Sequence, residues 1–273
     1  MMPFCYANGT IMPWEKAQIH PMDLAFIRGY GIFDFFRVAG SKPVFLEHYL
    51  DRFINSARET HLTFELSKKE LESIIYDLIE QNKMETGGFR MLLSGGISPN
   101  HFSPARSSFF IFAEELAFPA AEKYEQGVKL LALEHVRPVA KIKTTNYAYP
   151  VWHSATWKEK GAEDVLYHRD GFVSESSRSN FFIVKDSTLI TPDSDVLEGI
   201  TRRHVLDIAN KVEVRKVTLS EVFEADEAFI TSTTKVLLPV VQIDDHVIGS
   251  GKPGPYTKNI LEKFRELEER MLK

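Results

Sequence analysis

The second half of the chain carries its apolar residues in short runs of strand length, and this punctuation constrains the fold more than any other feature. Such runs occur near 128–133, 165–167, 181–184, 228–231 and 238–243. Runs of about four to eight β-branched, aromatic and aliphatic residues bounded by turn formers read as strands. Arg169-Asp170-Gly171 and Lys185-Asp186-Ser187 look like the hairpin turns between them. Helical spacing appears in the same half at 149–160, 201–210 and 257–271. The first half mixes the two patterns as well. Asn8-Gly9 marks a tight turn, 30–38 reads as a strand ended by Ala39-Gly40, and Pro43-Val44-Phe45 can return as its partner. Leu46, Leu50, Phe53, Ile54 and Ala57 predict a helix over 47–60. Ser67-Lys68-Lys69-Glu70 has the capping-box pattern, and Leu71, Ile74, Ile75, Leu78 and Ile79 supply the apolar face of a second helix. Strands at 89–93 and 108–113 flank a loop that runs from Gly95-Gly96 to Pro104. Strands outnumber helices and the two are interspersed, so the expected class is α+β.

A chain of 273 residues is long enough for one large domain or two medium ones. The stretch 114–125, with Pro119, reads as a linker, which predicts a small N-terminal α/β domain over 1–117 and a larger C-terminal domain over 118–273. Apolar residues make up 44%, enough for a sizeable core. A net charge of −5 argues against a nucleic-acid or anionic-membrane partner. One cysteine, Cys5, excludes an intrachain disulfide framework and suits a reducing cytoplasm. The opening Met1-Met2-Pro3-Phe4 lacks the basic and apolar segments of a signal peptide. No apolar run approaches the roughly 18 residues of a membrane span. A cytoplasmic protein is expected, and no metal site.

Two segments carry the chemistry. Lys141-Ile142-Lys143-Thr144-Thr145-Asn146-Tyr147 offers an amine after a predicted strand. Val173-Ser174-Glu175-Ser176-Ser177-Arg178-Ser179-Asn180-Phe181-Phe182 offers a carboxylate among hydroxyl and amide groups. An amine can attach to an aldehyde, and a carboxylate can hold a pyridine nitrogen in its protonated form. These are the minimum needs of a pyridoxal phosphate site. Taken singly, both lysines read as solvated strand-end residues and Glu175 as a loop glutamate.

The motifs in combination are similar to the class IV aminotransferases, the fold-type IV pyridoxal phosphate enzymes. Glu175-x-Ser177-x-x-Asn180-Phe181-Phe182, Leu189-Ile190-Thr191 and Leu197-Glu198-Gly199-Ile200-Thr201-Arg202 carry the likeness. It extends over nearly the whole chain. The resemblance implies a two-domain fold with a barrel-like C-terminal sheet, pyridoxal 5'-phosphate as cofactor and a homodimer with its active site at the subunit interface. It favours Lys143 over Lys141 as the cofactor lysine, since Lys143 precedes Asn146 by three positions and Glu175 by thirty-two. Glu175 would face the pyridine nitrogen and Tyr147 the phenolate oxygen, with Ser179 and Asn180 beside them in the same motif. For the phosphate, Gly199, Ile200 and Thr201 open a predicted helix whose free N–H groups favour an anion. Thr231-Ser232-Thr233-Thr234 resembles the phosphate turn of D-amino-acid transaminases, with Ser232 and Thr233 as donors. Arg52, in Glu47-His48-Tyr49-Leu50-Asp51-Arg52-Phe53, matches the family's phosphate arginine.

The substrate side departs from the pattern. Gly31-Ile32-Phe33-Asp34 occupies the family's pocket strand, with Phe33 at the aromatic position and Asp34 in place of the usual Glu. D-Amino-acid transaminases have a tyrosine there, and an arginine and a histidine in the loop after the second strand of the first domain. Here the loop reads Ser98-Pro99-Asn100-His101, so the usual carboxylate trap is incomplete. Arg28, Arg90 and Arg178 are the expected replacements, because arginine binds carboxylate bidentately. Backbone N–H groups of the turn that ends at Thr234 are the other candidate. The expected activity is ping-pong transamination between an amino acid and 2-oxoglutarate or another 2-oxo acid. It leans to D-amino acids on the Thr231–Thr234 turn, Leu166-Tyr167-His168-Arg169 and the thirty-two-residue spacing. Branched-chain L-amino-acid transamination and aminodeoxychorismate lyase activity are the alternatives. A fold-retaining binding protein without cofactor is the reading from another class.

Overall fold

The computed structural model describes residues 2–272, which form two compact units. The first comprises residues 2–117, the segment Ile142–Tyr147 and residues 271–272. The second comprises Phe118–Lys141 and Ala148–Arg270. A single division at 117/118 therefore leaves out a crossing: the lysine-bearing stretch belongs to the first unit.

The first unit is a six-stranded antiparallel sheet. Its strands are β1 (Phe4–Ala7), β2 (Thr10–Pro13), β3 (Gly31–Ala39), β4 (Lys42–Pro43), β5 (Thr86–Ser94) and β6 (Phe109–Glu114), in the order β2-β1-β6-β5-β3-β4. A short helix, α1 (Leu24–Arg28), precedes β3. The helices α2 (Leu46–Glu59) and α3 (Lys68–Gln81) pack against β3 and β1 respectively. Strand β3 shows why. Ile32, Asp34, Phe36 and Val38 alternate as buried residues, while Phe33, Phe35 and Arg37 are half-buried on the other face. The buried face meets α2, where Phe36 lies 6.0 Å from the Tyr49 ring. Helix α3 begins as expected, with Ser67 and Glu70 forming a complete capping box. The return strand expected over 43–45 shrinks to Lys42–Pro43, because Phe45 takes a left-handed φ of 55° and starts α2. Helix α1 has no counterpart among the elements expected from the sequence.

The second unit contains β7 (Val128–Glu134), β8 (Asp164–Arg169), β9 (Phe172–Ser176), β10 (Asn180–Lys185), β11 (Thr188–Thr191), β12 (Val212–Val214), β13 (Val217–Thr218), β14 (Glu227–Ser232), β15 (Val236–Ile243) and β16 (His246–Val247). Its helices are α4 (Ala121–Gln126), α5 (Ala148–Glu159), α6 (Ile200–Ile208), α7 (Leu219–Phe223) and α8 (Pro255–Leu272). Helix α4 occupies part of the stretch expected to be a linker. Both predicted hairpin turns are present, at β8–β9 and β10–β11.

Strands β10, β14, β15, β7, β8 and β9 pair in succession, and β9 pairs back to β10 through Asn180↔Glu175. The sheet thus closes into a barrel. Leu130, Leu166, Val173, Phe181, Ile183, Ile230, Leu238 and Val240 belong to its apolar core. Strands β8 and β10 are buried along almost their whole length, which explains why they read as continuous apolar runs rather than as alternation. Strands β15, β7 and β8 run parallel, and β10 reaches β15 through two antiparallel steps. The first residues of β8, β10 and β15 therefore lie at the same end of the barrel.

Candidate active site

In the first unit, residues 142–147 are held by backbone bonds along the free edge of β3. Phe33 N donates to the Lys143 carbonyl at 2.9 Å, Thr145 N donates to the Gly31 carbonyl at 2.9 Å, and Ile32 and Thr144 form an antiparallel bridge. The Thr145 hydroxyl adds a bond to the Gly29 carbonyl at 3.1 Å. This anchoring sets the Lys143 side chain over Phe33, with Nζ 4.7 Å from the ring centroid. Tyr147 meets the same ring edge-on at 5.7 Å. Lys143, Phe33 and Tyr147 are thus assembled, all half-buried, while Lys141 and Asn146 are exposed. Lys141 and Lys143 do not share a strand face, because β7 ends at Glu134 and no strand follows before α5.

Arg52 and Asp34 form a bidentate pair across α2 and β3, with Nε–Oδ2 at 2.9 Å and Nη2–Oδ1 at 2.7 Å. Asp34 is buried and also accepts from Phe35 N at 2.8 Å, so the acid in place of Glu ties the strand to the helix. Arg90 is bidentate to Glu114, with Nη2–Oε2 at 3.0 Å, and its guanidinium lies 5.1 Å from the Phe33 ring centroid. Its fork is therefore engaged within the protein. Arg28, at the C-terminal end of α1, is exposed and donates to its neighbour's carbonyl at Ile27. In the second unit Arg178 is likewise exposed.

Glu175 lies at the barrel seam and is only 4% exposed. Its Oε1 accepts from Arg137 Nε at 3.0 Å. Its Oε2 accepts from Leu197 N at 2.8 Å and from Asn180 Nδ2 at 3.3 Å. Asn180 Nδ2 also donates to the Leu197 carbonyl at 2.8 Å, which fastens the 197–199 turn to the seam. Gly199 is needed there, because a Cβ on it would lie 2.1 Å from Asn180 Oδ1. The motif residues Glu175, Asn180, Leu197 and Gly199, twenty-four positions apart at the extremes, thereby become neighbours. Such buried donors favour the ionised carboxylate.

Gly199 caps α6 with no side-chain hydrogen bond, so Ile200 and Thr201 begin a nine-residue helix with its N-terminal N–H groups uncapped by any side chain. Thr231 and Ser232 end β14, and Thr233 and Thr234 form the turn before β15. Thr231 pairs with Asn180 across the strands, so this turn lies beside the Glu175 seam. The Thr231 hydroxyl is buried without a hydrogen-bond partner. Lys235 closes the turn. It is 6% exposed, and its Nζ lies 3.3 Å from Asp164 Oδ2 and 3.2 Å from Ser179 Oγ.

Sequence reasoning missed Arg137, Asp164 and Lys235. All three are buried charges whose partners stand 38 or 71 residues away, and no local spacing announces such pairs.

These findings converge on one family, and the chain belongs to it: the family model for class IV aminotransferases matches residues 31–243. The chain is 31% identical to a D-alanine aminotransferase of Bacillus licheniformis over 93% of each chain. It superposes on a crystal structure of the Escherichia coli branched-chain amino acid aminotransferase with a TM-score of 0.91 at 26% identity, covering 98% of this chain and 95% of that one. A crystal structure of the T.th. branched-chain amino acid aminotransferase with pyridoxamine 5'-phosphate gives a TM-score of 0.90 at 26% identity, covering 97% and 94%. The protein is a pyridoxal phosphate-dependent aminotransferase of fold type IV.

The residues present fit that cofactor. The first unit offers a half-buried amine on an anchored backbone. The second offers a buried, multiply hydrogen-bonded carboxylate, a helix N-terminus without a side-chain cap and an unpartnered buried hydroxyl at a hydroxyl-rich turn.

Proposed function

We propose that the chain transfers the amino group of D-amino acids to 2-oxoglutarate or another 2-oxo acid by a ping-pong scheme. The observation that carries this reading is the 31% identity to a D-alanine aminotransferase along nearly the whole of both chains. When bound, the pyridoxal ring withdraws electrons from the substrate α-carbon and so makes its proton removable.

The roles of the chain's own residues follow from their chemistry. Lys143 Nζ would hold the cofactor through its aldehyde and would carry the substrate α-proton. Glu175 accepts from the protonated ring nitrogen, and Arg137, Asn180 and Leu197 N hold that carboxylate ionised and aimed. The Tyr147 hydroxyl donates to the phenolate oxygen. Ser232, Thr233, the N–H groups of Ile200 and Thr201, and Arg52 would bind the phosphate; Gly199, whose own N–H donates to the Leu197 carbonyl at 2.8 Å, shapes the turn, and Ser179 and Asn180 support the same region. Phe33 lines the substrate side, and Arg28, Arg90, Arg178 or the backbone at Thr234 receives the substrate carboxylate.

A homodimer is part of this reading. Met22, Phe26, Ile97 and Phe102 are exposed around α1 and the loop paired to it at Asp23↔Ile97, with Phe26 74% and Phe102 79% exposed. Exposed apolar residues clustered this way mark an association surface. A second copy there also gives Arg28 a route to its partner's substrate. Sedimentation at low concentration tests the dimer, with a monomer as the refuting result. A cytoplasmic location belongs to the same proposal.

The second reading, branched-chain L-amino-acid transamination, is favoured by the Phe33–Tyr147 aromatic pair. The test between the two is a panel of D- and L-amino acids with 2-oxoglutarate. Turnover confined to L-leucine, L-isoleucine and L-valine would overturn the D-amino-acid reading.

A further inference from the structure

The turn assigned to the cofactor phosphate holds a backbone conformation that its own sequence disfavours. Val236, at its exit, has a left-handed φ of 55°. A β-branched residue rarely adopts this region, so something in the surroundings must fix it. Lys235, the preceding residue, has three attachments. Its N–H donates to Ser232 Oγ at 3.2 Å, its carbonyl accepts from the Tyr124 hydroxyl at 2.8 Å, and its ammonium reaches Asp164 and Ser179. Asp164 is fully buried and is itself fixed, its Oδ1 accepting from Val165 N at 2.9 Å.

Topology gives this cluster its reach. Asp164 starts β8, Ser179 immediately precedes β10 and Lys235 immediately precedes β15. These strand starts share one end of the barrel, so the ammonium ties three strands together across that end. Polarity adds a second consequence. A lysine ammonium and a backbone N–H are donors only. Ser179 Oγ and Ser232 Oγ must therefore act as acceptors toward Lys235, which leaves both hydroxyl protons directed elsewhere. A serine fixed in that sense is a ready donor to an anion.

We propose that Lys235 is a positioning residue of the phosphate site: through Asp164 and Ser179 it pins the Ser232–Thr234 turn in its strained form, and through its N–H it presents the Ser232 hydroxyl as a donor. The inference rests on the assignment of Ser232 and Thr233 to the cofactor phosphate. It concerns the phosphate side alone; on the pyridine side Glu175 is held by Arg137, Asn180 and Leu197 N.

The experiment compares the dissociation constants of pyridoxal 5'-phosphate and of unphosphorylated pyridoxal, read by equilibrium dialysis, with the 31P resonance of the bound phosphate as a second signal. Lys235→Met alone would strand Asp164 as a buried charge. The main variant is therefore Asp164→Asn with Lys235→Met, which removes both charges at nearly constant volume. Its expected result is a rise of about ten- to a hundredfold in the Kd of pyridoxal phosphate, the worth of one charged hydrogen-bond contact. A shifted 31P resonance and an unchanged Kd for pyridoxal should accompany it.

Equal weakening of both ligands, or of neither, overturns the proposal. If the double variant fails to fold, Lys235→Arg, which keeps the charge but changes the reach, is read the same way. A pair whose every replacement unfolds the chain is structural, and that outcome also overturns the positioning role. Ser232→Ala and Thr233→Ala in the native background separate the two levels of inference. If neither weakens pyridoxal phosphate relative to pyridoxal, the phosphate assignment itself fails. If they do and the Lys235 variants do not, only the role of Lys235 fails.

Discussion

Replacing Glu175 by Gln should have two separable effects, because this carboxylate has both a structural and a proposed chemical partner. The substitution keeps the shape of the side chain and removes its charge. The Arg137 guanidinium, with a side chain only 8% exposed and 3.0 Å from Glu175 Oε1, then stays buried without its counter-ion. Removing one member of a buried ion pair costs about 3–5 kcal/mol. For a unit of this size, each kcal/mol lowers Tm by roughly 2–4 °C, so a drop on the order of 10 °C is expected. The chemical effect is independent of that cost. Losing one preorganised electrostatic contact at the ring nitrogen should slow turnover by about a hundred- to a thousandfold. Adding Arg137→Met to Glu175→Gln separates the two, since it removes the stranded cation. Calorimetry should show Tm recovering in the double variant, and steady-state assays should show kcat remaining low. Near-native turnover of Glu175→Gln would refute the pyridine role. Recovery of kcat together with Tm would show that the single variant failed through folding alone.

Three further outcomes are expected. Borohydride reduction of the cofactor-loaded protein followed by peptide mapping should place the pyridoxyl group on half-buried Lys143, and Lys143→Ala should abolish transamination; a label on exposed Lys141 would overturn the assignment. Among Arg28→Ala, Arg90→Ala and Arg178→Ala, the variant that loses the carboxylate clamp should lose about 2–5 kcal/mol of productive binding and raise KM for glutamate more than for a neutral amino acid. Native KM values in all three would move the carboxylate to the backbone of the Thr231–Thr234 turn. Burial, reinforced by Arg169, His153 and Arg137, holds the His135 pKa below its ordinary 6.5. The unfolded chain therefore takes up this proton first, and the contribution is fully present above pH 6.5 and fades as pH falls through that value. Melting curves from pH 7.5 to 5 should decline less steeply in His135→Gln than in the native chain; parallel curves would refute this.

The parts of the fold that could be read from the sequence are those decided within a few residues. Helix α3 is announced by Ser67 and Glu70, and the Asp170 and Asp186 turns by their own composition. Phe45 shows the limit. Its aromatic ring and the Val44 beside it favour a strand, but burial of the α2 face, through Leu46, Tyr49, Leu50 and Phe53, makes it the N-cap of a helix instead. The short helices α1 and α4 have too few turns to show a period. Barrel closure could not be read at all, because it depends on a single register, Asn180 opposite Glu175, that no periodicity encodes.

The same physics explains which site residues escaped. Lys143, Tyr147, Glu175 and Asn180 sit in contiguous motifs and could be proposed from their order. Arg137 and Lys235 could not, because what defines them is the absence of water around a carboxylate elsewhere in the chain. A buried carboxylate requires donors. Glu175 obtains them from Arg137, Leu197 N and Asn180, and Asp164 from Lys235 and its own neighbour's N–H. In each case a motif names the acid or the turn, and the three-dimensional fold supplies the cation. A buried ion pair is weak evidence of stability gained, since a well-packed apolar pair is often as stable. Two such pairs on the segments that flank one barrel seam, beside a left-handed valine, are therefore better explained by a demand for fixed geometry than by a demand for stability. Replacing Asp164 and Lys235 together tests that distinction, since it should leave Tm near its native value while loosening the grip on phosphate.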